Sequence, residues 1–240
     1  IEPLFRVPIF HYLFGYIHPF YNGNGRLNRF ISSYFLSDTL ESIMGYRLSY
    51  TIKENINRYP YSNIGEKDLF HGKNTAICEY FVSIGQFIER KNNEQLIDIF
   101  NKNNKRLLLI GDGPLKKKYK SLITNNSNIE IIAYKCREEI FKTLQNARAL
   151  IALSKEDIFG HTIVEALANG CPVIASKYVL SANNIIVNGK NGYIVSLESE
   201  EEINKAICNI ASINREDCIN SVKGLTFEKC AIQIATALKR

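Results

Sequence analysis

The densest chemistry in the sequence is one short string, His18-Pro19-Phe20-Tyr21-Asn22-Gly23-Asn24-Gly25-Arg26-Leu27-Asn28-Arg29. Pro19 cannot continue a helix and disfavours helix at His18, so a helix is expected to end there. The residues 22–25 can adopt backbone shapes closed to most side chains. A second helix is expected to open near Arg26. Successive backbone N–H groups in a Gly-rich turn at a helix start form a cradle for an anion. Arg26 and Arg29 stand three residues apart and reach one face of that first turn. Two guanidinium groups there oppose the helix dipole, and a bound polyphosphate would offset that. His18, at the loop's other edge, has an ordinary pKa near 6.5 and suits a general base. A capped helix-turn-helix with a surface histidine is the plainer alternative.

A second chemical stretch covers residues 153–176. Ser154 closes a strand, and a loop with Glu156, Asp157 and Gly160 leads to a helix expected near Thr162. Glu165 is placed in that helix's first turn, and Asn169-Gly170 ends it. Cys171-Pro172 then opens the next strand. The amides of residues 160–163 (Gly160, Thr162 and Ile163 among them) would face a diphosphate, aided by the helix dipole. Asp157 and Glu165, the candidate catalytic carboxylates, could accept hydrogen bonds from sugar and ribose hydroxyls. Alternatively, Glu165 caps its helix and Asp157 is a plain loop carboxylate. Leu107-Leu108-Leu109-Ile110-Gly111-Asp112-Gly113-Pro114 is a strand running into a Gly turn, short of a full dinucleotide fingerprint.

These groups need elements to hold them, and the chain changes character near residue 60. Before it, aromatic residues recur at helical spacing (Phe5, Phe10, Phe14, then Phe30, Tyr34 and Phe35). After it, apolar runs at 80–84, 107–110, 129–133, 149–153 and 172–175 alternate with helical patterns at 93–101, 115–123, 138–147 and 163–168. That order predicts an α/β fold with a doubly wound parallel Rossmann-like sheet, preceded by a small all-helical segment. Residues 58–65 read as a linker or turn, and 200–240 as several helices. The expected domains are therefore 1–58 and 59–240.

The composition sets outer limits. A chain of 240 residues with 45% hydrophobic content is ordinary for a globular protein. Net charge +6 suits polyphosphates or an acidic membrane surface, so peripheral membrane contact is compatible, but it is too evenly spread to argue for nucleic acid. Lys116, Lys117, Lys118 and Lys120 form the longest basic cluster, read as a solvated helix face or as a phosphate or lipid patch. The six cysteines show no CxxC spacing, so no metal site is expected and a reducing, cytoplasmic setting fits. No apolar run reaches the length of a membrane span, and no signal peptide is expected. The sequence opens inside an apolar helical pattern, which predicts that something precedes it.

The string from His18 to Arg29 resembles the Fic family motif, His-Pro-Phe-x-(Asp/Glu)-Gly-Asn-Gly-Arg-x-x-Arg. The resemblance implies transfer of a nucleotide monophosphate, usually AMP from ATP with Mg²⁺, onto a hydroxyl of a target protein. His18 would take the hydroxyl proton, Gly23, Asn24 and Gly25 would hold phosphates, and Arg26 would neutralise developing charge. Asn22 replaces the family's acidic Mg²⁺ ligand, and a neutral amide is a weaker ligand for a hard cation. The resemblance covers only residues 1–58, so this half is expected to be a remnant, a fragment or a fusion product.

Residues 153–176 resemble the signature of family-4-type retaining glycosyltransferases of the GT-B fold, Ser-x-x-Glu-x-Phe-Gly-x4-Glu-Ala-x-Ala-x-Gly-x-Pro-Val-Ile-Ala. Residues 187–195 and Ser83-Ile84-Gly85-Gln86-Phe87-Ile88-Glu89-Arg90-Lys91-Asn92 resemble neighbouring elements of the same family. The resemblance implies that residues 59–240 bind a nucleotide-sugar donor, with Lys91 on its diphosphate and Glu165 on its ribose. The base would pack near Ala133, Tyr134 and Lys135. Gln86 stands where an Arg is usual, and Asp157 where the first Glu is. His161 would lie near the sugar without serving as a base. Such enzymes use the donor's own phosphate to guide the acceptor and need no metal. Their acceptor domain has no counterpart in residues 1–58, so weak or absent transfer is expected. Three readings follow: a glycosyltransferase-derived donor binder, a Fic-type adenylyltransferase, and a non-catalytic nucleotide-binding fusion.

Overall fold

The computed structural model describes residues 64–70, 72, 79–125, 128–157, 160–226 and 229. The chain divides into two units, Ile1–Pro60 and Tyr61–Arg240. The first unit, with His18, Asn22, Gly23, Asn24, Gly25, Arg26 and Arg29, lies outside the described residues.

The second unit is a parallel six-stranded α/β sheet flanked by helices. Its strands are β1 (Tyr80–Ile84), β2 (Arg106–Ile110), β3 (Ile129–Ile132), β4 (Ala149–Ala152), β5 (Val173–Ser176) and β6 (Gly192–Val195). Its α-helices are α1 (Asn93–Asn103), α2 (Lys116–Leu122), α3 (Arg137–Asn146), α4 (His161–Ala168), α5 (Ala182–Ile185), α6 (Glu200–Asn209) and α7 (Arg215–Val222). The strands are continuous apolar runs because a parallel sheet is covered on both faces. Leu107, Leu109, Ile110, Ala149, Ile151, Val173 and Ile174 are fully buried. β3, at one edge, keeps no fully buried residue.

The spatial order is β3-β2-β1-β4-β5-β6, all pairs parallel. The chain winds outward from β1 to β3, then crosses back to lay β4 on the other side of β1. Phe81 pairs with Ala149 and Val82 with Leu150 across that join. Loops leaving β1 and β4 therefore diverge in opposite directions and leave a crevice at the carboxyl end of the sheet, where such folds bind ligands.

The helices form where apolar residues recur every three to four positions. α1 buries Leu96, Ile97, Ile99 and Phe100, and left-handed Asn92 and Asn104 (φ 55° and 54°) bound it. α4 buries Ile163, Val164, Ala166, Leu167 and Ala168, so it is nearly all core. α7 packs on α4 through Arg215. Its guanidinium donates to the carbonyls of Gly170 (2.8 Å), Ala147 (3.0 Å), Leu144 (3.3 Å) and Gln145. Those oxygens belong to the carboxyl ends of α3 and α4, where the dipole favours a cation.

The sequence expectations differ from the structure in detail. β6 and the short α5 have no counterpart among the expected strands and helices. The expected strand ends at 133, 153 and 175 become Ile132, Ala152 and Ser176. α4 starts at His161, so Glu165 is its fifth residue and stands in the second turn. Among the described residues, no helix is long and apolar enough to cross a membrane.

Candidate functional site

Two loops at the centre of the sheet build the site. The first leaves β1 through Gly85, whose N–H donates to Ile110 O at 3.0 Å. Phe87, buried, donates its N–H to Asp112 O at 2.8 Å and accepts from Leu115 N–H at 3.1 Å. This clamps the loop after β1 to the loop after β2. The approach is so close that a Cβ at Gly111 would stand 1.9 Å from Gly85 O, which is why glycine is required there. A 3₁₀ turn over Glu89–Lys91 and left-handed Asn92 then fold the chain back. The Lys91 stem returns across Gly85, with Cε 3.6 Å from where a Cβ of that glycine would lie.

The second loop leaves β4 and is stitched to the first. Lys155 N–H donates to Arg90 O at 2.7 Å, and Arg90 Nη1 donates to Glu156 O at 3.3 Å. Ser154 is buried, and its carbonyl accepts from the Ser176 hydroxyl. Asp157 is held on both sides by the chain after β5, its N–H to Tyr178 O (3.2 Å) and its O from Leu180 N–H (2.9 Å). Gly160, left-handed at φ 46°, starts α4, and a Cβ there would lie 2.9 Å from Val179 Cγ1.

The Lys91 ammonium donates to Asp157 Oδ2 across this junction, with the side chains 20% and 15% exposed. Burial alone would raise the Asp157 carboxyl. The Lys91 charge and hydrogen bond, the Gly160 amide (3.3 Å) and Arg90 outweigh it and hold the acid below its usual 3.8. Together these loops line a small cleft, with Gly85, Lys91, Ser154, Asp157, Gly160 and Thr162 on its wall.

The structure thus brings together Lys91, Asp157, Gly160 and Thr162. Gln86, half-buried, follows Gly85 in the first loop and is outside the cleft lining. Glu165 is half-buried on α4, with its carbonyl accepting from Asn169. Ile163 is fully buried, and its N–H donates to Gly160 O at 2.7 Å. With Gly160 N–H on Asp157, two of the four amides at residues 160–163 already have acceptors within the protein, and an anion there would have to compete for Gly160. Asn93, Ile151, Ala152 and Val179 also line the cleft, and no motif in the sequence points to them. Ala133 and Tyr134, the latter 81% exposed, follow β3 at the same end of the sheet.

Lys116 pairs with Asp112 at 2.7 Å and Lys118 with Glu94 at 2.8 Å, as on a solvated helix face. Among the described residues no group of three or more His, Cys, Asp or Glu is placed to hold a metal. Cys136, Cys171, Cys208 and Cys218 are free thiols.

A family model described as glycosyl transferases group 1 matches residues 72–223, and one described as Fic/DOC family matches residues 1–36. An uncharacterized glycosyltransferase of Methanocaldococcus jannaschii is 26% identical over 184 residues, covering 72% of this chain and 51% of that protein. The chain therefore spans about half of that relative's length. Among solved structures, sucrose-phosphate synthase from Thermosynechococcus elongatus superposes with a TM-score of 0.65 at 19% identity, over 78% of this chain and 55% of that one. HepE of Anabaena in complex with UDP-glucose gives 0.57 at 20% identity, over 67% and 48%. At such identities the likeness shows the fold, which is that of one half of a GT-B structure.

Proposed function

We propose the following for this chain, which belongs to the group 1 glycosyl transferase family: residues 61–240 are a donor-binding unit that takes a nucleotide sugar in the cleft between the loops after β1 and β4. The observation that carries this is the position of Lys91, a cation at the switch of strand order facing the start of α4. A diphosphate there would meet the Lys91 ammonium, with the Thr162 end of α4 contributing its dipole and Gln86, the neutral residue where an Arg is usual, standing outside the cleft lining. Asp157 would accept from sugar hydroxyls and Glu165 from the ribose. The base would lie against Tyr134 and its neighbours beyond β3. The HepE complex holds UDP-glucose, which makes a uridine donor the first to test.

The reaction in this reading is retaining transfer of the family-4 type, without a metal, in which the donor's phosphate steers the acceptor hydroxyl. The acceptor would be held by a domain or partner other than residues 61–240. The experiment is a thermal-shift titration with UDP-, GDP- and ADP-sugars. Ligand at 100 times its Kd stabilises the fold by about 2.7 kcal/mol, a shift of several degrees. The shift should be lost in Lys91→Ala and weakened in Glu165→Ala. No shift with any nucleotide sugar would remove this reading.

The Fic/DOC match supports a second reading for the first unit, AMP transfer from ATP with Mg²⁺ to a protein hydroxyl. His18 would be the base, with Gly23, Asn24, Gly25, Arg26 and Arg29 on the phosphates. Labelling of protein by ATP that His18→Ala abolishes would support it. If neither activity appears while nucleotide binding persists, the chain is a non-catalytic binder.

A further inference from the structure

Lys91 and Asp157 stand 66 residues apart in sequence and meet inside the cleft. Both are mostly withdrawn from water, at 20% and 15% exposure. The carboxylate cannot swing aside freely, because both backbone groups of Asp157 are tied to the chain at Tyr178 and Leu180, and Oδ1 accepts from Gly160 N–H. The lysine is confined as well, with its stem across Gly85. An anion entering the cleft must therefore share the ammonium with a fixed carboxylate or take it away. Taking it leaves Asp157 charged and largely desolvated beside another anion, which is unfavourable unless a donor replaces the ammonium.

A bare nucleoside diphosphate presents only acceptors to this corner. A nucleotide sugar presents hydroxyl donors as well. We propose that Asp157, through its ion pair with Lys91, sets the site against the bare diphosphate and in favour of the nucleotide sugar, because only the sugar's hydroxyls satisfy the carboxylate once the diphosphate has drawn Lys91 away. The proposal rests on the donor-site reading above. It also assigns a role after transfer: with the sugar gone, the carboxylate reclaims Lys91 and the diphosphate is released. Asp157 is thereby a specificity-determining residue.

The test is isothermal titration of the full chain with inorganic pyrophosphate, UDP and UDP-glucose, in the wild type and in Asp157→Asn. Asn keeps an oxygen for Gly160 N–H and removes the charge. Pyrophosphate and UDP should bind the variant about tenfold more tightly, a change of about 1.4 kcal/mol. UDP-glucose should bind the variant no more tightly than the wild type. Asp157→Glu, which keeps the charge, should retain discrimination, and serves also if the Asn variant does not melt cooperatively. A purely structural role for Asp157 would weaken all three probes together and leave their ratio unmoved, which would overturn the proposal. Equal pyrophosphate affinity in wild type and Asp157→Asn, with UDP-glucose still bound, would overturn it while leaving the donor site standing. Binding of none of the three probes to either protein would remove the donor site for uridine nucleotides and this proposal with it.

Discussion

The ion pair between Lys91 and Asp157 has a measurable stability of its own, separate from any ligand. Exposed pairs contribute about 0.2–1 kcal/mol, while breaking a fully buried pair costs about 3–5 kcal/mol. At 20% and 15% exposure this pair falls between those limits. The Gly160 amide continues to serve Asp157 when Lys91 is removed, which places the expected value nearer the lower one. A coupling of about 2 kcal/mol is therefore expected from a double-mutant cycle of Lys91→Met and Asp157→Asn. Met keeps the stem over Gly85, so the cycle isolates the charge. The readout is urea unfolding followed by far-UV circular dichroism at pH 7. The pH dependence has a definite sign. The folded Asp157 acid is depressed below 3.8, so its contribution is fully present above that value and is lost as pH falls through the folded pKa. The coupling should hold constant from pH 8 to about 4 and decline only below. A coupling under about 0.5 kcal/mol at pH 7 would place the pair among ordinary surface contacts. Loss of the coupling near pH 6 would equally refute the reasoning.

Three further outcomes test the frame around the site. Arg215→Ala should lower stability by about 2–4 kcal/mol, since one guanidinium serves four carbonyls at two helix ends; a loss under about 1 kcal/mol in urea unfolding would mean that water serves those oxygens as well. Gly111→Ala drives a methyl to within 1.9 Å of Gly85 O and should cost about 3 kcal/mol or more, whereas Gly189→Ala, with nothing within 4 Å but φ 78°, should cost only about 1 kcal/mol of backbone strain; equal melting shifts for the two would contradict the close approach. Peptide-resolved alkylation of the native chain should modify Cys136 and Cys208 and spare Cys171 and Cys218, which are buried, with burial pushing the Cys171 thiol up to about 12; fast labelling of Cys171 would mean that α7 does not stay on α4.

The strands were legible because a fully covered parallel strand is an apolar run with sharp ends, and most expected ends lie within one residue of those observed. β6 was harder to separate, since Gly192-Tyr193-Ile194-Val195 is only four residues long with its middle half-exposed. The start of α4 was misplaced by one residue because left-handed Gly160 turns the chain directly into the helix at His161, which moved Glu165 out of the first turn. Asp157 is singled out in the sequence by residue type and by resemblance, and Lys91 by resemblance alone, but their pairing is not. It depends on how β1 and β4 align across the sheet, and no spacing in the sequence encodes that. Arg215 gave no signal, because an arginine on a helix reads as surface until its four carbonyl partners are in place.

The strand order also fixes a schedule during synthesis. β1, the first of these six strands to be made, ends at the centre of the sheet, and its second neighbour β4 begins about 65 residues later. At elongation rates of about 5–20 residues per second, roughly three to thirteen seconds separate the two on the ribosome. Through that interval β2 and β3 can pair on one side while Phe81 and Val82 offer an apolar, unpaired edge on the other. A nascent chain in that state is open to strand addition from a neighbour, and arrival of Ala149 and Leu150 ends the exposure. The junction that forms the crevice in the finished fold is the same seam that a growing chain must keep free of the wrong partner.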